Sequence, residues 1–210
     1  MISLSEILHT IAQALMIPCL IILIILMAGA VWQIGDIVVE YIAERRKHKC
    51  NVPQLLRDVH AAGADGLAEL IENSGLLRRQ KKALLELAES RGLPKDTLTA
   101  LAERLLATEE GRYARMTSVT DMIAKLGPMF GLLGTLIPLG PGIVALGQGD
   151  TVTLSESMNV AFDTTIAGVI SAAVASVISH IRKRWYNDDM VSLETLMEAV
   201  LEEVTSDVEG

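Results

Sequence analysis

The feature that most constrains this chain is an apolar run too long for an ordinary soluble core. PCLIILIILMAGAVW occupies 18–32, is extended backwards by IAQALMI, and continues forwards to about Val39. Twenty helical residues rise about 30 Å, the thickness of the hydrocarbon core of a bilayer. Two further runs have this length, from about Met122 to Leu146 and from Met158 to about Ser179. In hydrocarbon a segment must satisfy its own backbone polar groups, so each run is predicted as a spanning helix. The composition agrees, with half of the residues hydrophobic, a mean hydropathy of +0.40 and only 3% aromatic.

Basic residues orient the spans. The first run is followed by Glu44-Arg45-Arg46-Lys47-His48-Lys49 and the third by Arg182-Lys183-Arg184, while the connection GQGDTVTLSES between the second and third holds no Lys or Arg. The positive-inside bias therefore predicts residues 43–120 and the tail in the cytoplasm, with the amino terminus outside. No secretory signal pattern opens the sequence. The net charge of −8 comes from the tail: Asp188 to Gly210 has eight acids and no Lys or Arg, leaving the rest balanced. That distribution argues against a nucleic-acid surface. Cys19 and Cys50 read as free thiols.

The predicted architecture is an all-α membrane protein with three transmembrane helices, a helical cytoplasmic insert between the first and second, and an amphipathic cytoplasmic tail. Its segments are 1–17, an amphipathic outer-side stretch; 18–42, the first span; 43–120, the cytoplasmic region; 121–147, the second span; 148–157, an outer loop; 158–180, the third span; and 181–210, the acidic tail. Met1–Leu15 has two readings, the start of the first span or an interfacial segment bent at Pro18. The insert reads as helices at Pro53–Ala61, Ala64–Asn73 and Leu76–Arg91, broken at Gly63, Gly75 and Gly92. Pro94 then suits the first turn of a helix that runs on into the second span. Asp36 and Glu40 read as headgroup-level acids near Arg45 or Arg46. Trp32, Tyr41 and Trp185 read as anchors among the membrane lipids.

The stretch GPMFGLLGTLIPLGPG at 127–142 puts three prolines and five glycines inside a spanning helix. Gly127, Gly131 and Gly134 recur at spacings of four and three, a stripe that lets helices approach closely. With Gly168, Ala172 and Ala175 of the third span, this face is expected to build a homo-oligomer. Pro138 and Pro141 free backbone carbonyls that protein or water must satisfy. Thr135 either bonds back to its own helix or faces a partner. Thr165, with Thr164 beside it, lies about 10 Å inside the outer start of the third span, and Thr135 about 17 Å from its outer end. Asp163 is read either as an interfacial acid with water access or as an ion-handling group. His9, His48, His60 and His180 have no metal-binding spacing, and no nucleophile elbow or phosphate loop appears, so neither an enzyme nor a cofactor is expected.

GPMFGLLGT at 127–135, followed by AFDTTIAGVISAAVA at 161–175, resembles the MotA/TolQ/ExbB proton-channel family, as does the order of spans and insert. The resemblance implies a homopentamer around single-helix partners of the ExbD/TolR/MotB type, in the inner membrane, coupling proton flow to work or transport. It implies pore-lining roles for Thr135 and Thr165, with Thr164, Gly131, Gly134 and Gly168 at accompanying positions. Two departures stand out: Pro138 and Pro141 follow the first motif, and Val160 sits where an acid is usual, with Asp163 the nearest. The alternative from another class is a non-conducting oligomeric scaffold that recruits partners through its cytoplasmic helices and acidic tail.

Overall fold

The structure is a computed structural model that describes residues 4–42 and 51–209. The basic cluster at 45–49 and Cys50 lie outside the described residues. The described residues form six helices and no strand: α1 (Leu4–Ala14), α2 (Met16–Glu40), α3 (Val52–Asn73), α4 (Arg78–Glu89), α5 (Lys95–Gly147) and α6 (Thr151–Glu209). Three segments, Glu6–Glu40, Lys95–Gly147 and Thr151–Ser206, are long and apolar enough to cross a membrane.

Local chemistry explains the breaks. Pro18 has no N–H for the carbonyl of Ala14, and the chain turns at Leu15, one turn earlier than the proline itself. Gly63 interrupts α3 at φ +63°, a conformation that glycine adopts without a Cβ penalty. Ser74 ends α3, its N–H and hydroxyl both donating to the Ile71 carbonyl. The Gln80 side chain accepts from the Leu77 N–H at the start of α4. Pro94 stands just before α5 rather than within its first turn, and its carbonyl accepts the N–H groups of Thr97 and Leu98. Asp150 caps α6, accepting from the N–H groups of Val152 and Thr153 and from the Thr153 hydroxyl.

The chain divides into two compact units, Met1–Ile37 with Thr117–Ile181 and Val38–Met116 with Arg182–Gly210. In the first, α1 and α2 run antiparallel to the adjoining part of α5: the Gln13 amide of α1 donates to the Ile137 carbonyl, the Cys19 thiol of α2 to that of Phe130, and Gly29 faces Ile123. α2 turns Cys19, Leu23, Leu26, Ala30 and Gln33 inwards and leaves Ile17, Ile21, Ile24, Ile25 and Trp32 exposed. An aliphatic face of that extent suits lipid.

The second unit has a conventional core. Val59, Leu67 and Ile71 of α3, Leu84 and Leu87 of α4, and Leu98 of α5 surround the tail's Leu193, Leu196, Met197, Val200 and Val204, all fully buried. The tail's apolar stripe thus packs on helices of its own chain, while Glu194, Glu198 and Glu202 stay exposed. Glu40 pairs with Arg182, at 3.1 Å and almost wholly buried; Arg45 and Arg46, the bases expected near it, lie outside the described residues. Tyr41 stacks on Trp185 and Tyr113 on Tyr186.

Candidate functional site

The glycine stripe forms a seam between α5 and α6 of one chain. A Cβ on Gly127 would lie 2.6 Å from the Gly168 carbonyl oxygen, and one on Gly168 would lie 2.5 Å from the Gly127 oxygen and 2.9 Å from the Gly131 Cα. A Cβ on Gly134 would meet Thr164 at 2.5 Å. Backbone contacts this close require glycine on both helices. The stripe expected to join one subunit to the next is consumed within the chain. Its periodicity revealed a small face but could not name the helix that covers it.

The paired positions rise along one helix as they fall along the other: Gly142 with Ser157, Gly134 with Thr164, Gly127 with Ala172, and Asp121 with Ser179. Hence α5 and α6 are antiparallel here. One residue along a helix turns about 100°, and on antiparallel partners that step leads to the same side of the seam. Thr135 follows Gly134, and Thr165 follows Thr164. The two hydroxyl residues therefore sit level with one another on one side, each partly exposed. Asp163 precedes Thr164, turns to the opposite side and is exposed. So the structure brings Thr135 and Thr165 together, keeps Asp163 apart, and places Thr164 in the seam itself, 5% exposed.

The hydroxyls are satisfied locally. Thr135 donates to the Leu132 carbonyl at 2.7 Å, Thr165 to that of Ala161 at 3.0 Å, and Thr164 to Val160 and Ala161. Back-bonding uses the donor and leaves the oxygen lone pairs of Thr135 and Thr165 available as acceptors. One of the prolines is answered too. Pro141 cannot donate to the Ile137 carbonyl, and the Gln13 side chain donates to it instead, at a long 3.5 Å. Pro138 is buried and Pro141 half-buried.

Other polar groups went unnoticed in the sequence. Gln33, Thr117, Thr120 and Ser179 are all buried at the end of the first unit remote from Pro138 and Pro141, and Ser179 donates to Asp121. The available signal was Gln33, the first amide after a long apolar run, but one isolated polar residue does not identify its neighbours.

The MotA/TolQ/ExbB proton channel family matches residues 70–195, more than half of the chain. No curated protein matches the sequence. The matched stretch includes the whole seam, both level hydroxyls, all of α5, and α6 as far as residue 195. With three helices able to cross a membrane, this chain is a multi-pass membrane protein that belongs to the MotA/TolQ/ExbB proton channel family.

Proposed function

We propose that five copies of this chain surround a narrow lumen in the inner membrane and, with a single-helix partner of the ExbD/TolR/MotB type, couple inward proton flow to mechanical work or transport across the envelope. The amino terminus lies outside and the tail in the cytoplasm, as the flanking Arg182-Lys183-Arg184 favours. The observation that carries the proposal is the level, same-sided placement of Thr135 and Thr165. Repeated around an axis, they make two neighbouring rings of uncharged acceptors. Such rings can hold water or a partner carboxylic acid without trapping an ion.

The remaining site residues divide by position. Gly127, Gly131, Gly134 and Gly168 close the wall, Thr164 braces it against Gly134, and Pro138 and Pro141 shape its outer half. Asp163, on the other side of the seam, belongs at the outer interface, where water offsets the cost of its charge.

Reconstitution of the chain with its partner into vesicles, with proton flux as readout, tests the proposal. Thr135→Val keeps the volume and removes the acceptor. Flux should fall by at least about tenfold, equivalent to about 1.4 kcal/mol in the barrier, and Thr165→Val should reduce it less. Native mass spectrometry should show the same oligomer in each case. If a variant carrying both changes coupled normally, the lumen would lie elsewhere and the scaffold alternative would take precedence.

A further inference from the structure

The inner end of the first unit holds a hydroxyl that behaves unlike the others in the spans. Thr135, Thr164, Thr165 and Ser171 each return their proton to a carbonyl of their own helix. Thr120 does not. Its side chain is 0% exposed, and its Oγ1 meets no donor or acceptor among the described residues. A buried hydroxyl left in that condition is costly, and in hydrocarbon no solvent is at hand to relieve it.

The register shows what surrounds it. Thr120 continues the α5 face of Gly127 and Gly134 at spacings of seven, so it lies in the α5–α6 seam. The adjacent Asp121 accepts there from the Ser179 hydroxyl, which is 3% exposed. On the α2 side, Ala30 packs with Ile123 and Ala175. Because α2 and α5 are antiparallel, the buried Gln33 comes one turn inward, level with Thr120. Three helices thus bring a hydroxyl, an amide, a carboxyl and a second hydroxyl to one layer, directly inside an apolar one.

We propose that this junction of α2, α5 and α6 holds an ordered water molecule, bound by Thr120 Oγ1 together with the Asp121 carboxylate and the Ser179 hydroxyl. Water supplies the acceptor that the Thr120 proton lacks, and its own two protons can go to the Asp121 carboxylate and the Ser179 oxygen. A carboxylate with two oxygens can accept from the water as well as from Ser179. Buried waters characteristically make about three hydrogen bonds to polar groups of this kind. The consequence is a hydrated carboxylate at the inner end of the second span, held within one subunit and away from Thr135 and Thr165. The proposal stands independently of what those two threonines do.

Water-edited solid-state NMR on the full chain in lipid vesicles, with threonine labelled, tests it. Thr120 and Thr164 are both buried, but only Thr120 should contact water. Magnetisation from water is expected to reach Thr120 several-fold faster than Thr164, and equal, slow transfer to both would overturn the proposal. Thr120→Val supplies a second measurement, expected to lower the thermal midpoint in mild detergent while Thr120→Ser preserves it. A raised midpoint for the valine variant would mean a dry, unsatisfied hydroxyl and would also overturn it. A Thr120 chemical shift that follows replacement of sodium by choline would place a cation there instead of water.

Discussion

Replacing Gly168 by Ala asks how tightly the α5–α6 seam is closed. The added methyl carbon would stand 2.5 Å from the Gly127 oxygen and 2.9 Å from the Gly131 Cα, where ordinary contact is 3.4–4 Å. Both neighbours are backbone atoms of a continuous helix, so no side chain can rotate away. The helices must part by close to 1 Å, and a gap of about 0.5–1 Å already forfeits a quarter to a half of each dispersion contact. Overpacking of this kind costs about 1–3 kcal/mol. Against it stands alanine's better helix propensity, about 1 kcal/mol. Gly111, inside α5 and not followed by proline, isolates that second effect, since nothing lies within 4 Å of a Cβ placed there. Thermal midpoints in mild detergent should therefore move in opposite directions, down for Gly168→Ala and up or unchanged for Gly111→Ala. If both variants shifted alike, close backbone approach would not be what holds this seam.

Arg182→Met leaves the Glu40 carboxylate buried without its described cation, and breaking a buried pair from one side costs about 3–5 kcal/mol; Glu40→Gln combined with Arg182→Met should recover much of that loss in the same unfolding measurement. The hydrogen bonds from Thr153 hold the Asp150 carboxyl below its ordinary value of 3.8. A depressed folded value stabilises the folded state above 3.8, and the contribution disappears as pH falls through it. Asp150→Ala should consequently lower the midpoint at neutral pH and make progressively less difference below about pH 4, as unfolding followed by circular dichroism across that range will show.

Much of the fold was readable because membranes impose length. The three long apolar helices and the breaks at Gly63 and Gly92 follow from residues close together in the chain. The helix around Pro53 and the apolar stripe of the tail are equally local patterns. What escaped were pairings across long separations. Nothing near Glu40 indicated Arg182, since their association depends on where α6 passes α2. The glycine spacing announced a small face without saying whether another subunit or α6 would cover it. Thr164 and Thr165 are the same residue type, side by side in sequence. Only the antiparallel packing separates the one buried against Gly134 from the one that turns outward level with Thr135. Thr120 was passed over because a threonine in a helix ordinarily satisfies itself, and sequence carries no mark of the exception.

The bond from Gln13 to the Ile137 carbonyl joins positions that are remote in sequence into one unit of inheritance. Pro141 creates the need for a donor, and Gln13 answers it. A lineage that lost the amide at 13 while keeping the proline would carry an unanswered carbonyl in the apolar part of α5. One that lost the proline first would restore the helical bond, and position 13 would then be free to become apolar. The order of substitutions is therefore constrained: proline must leave before glutamine, and glutamine must arrive before proline. Drift at the amino-terminal segment is thus limited by a proline more than a hundred residues away.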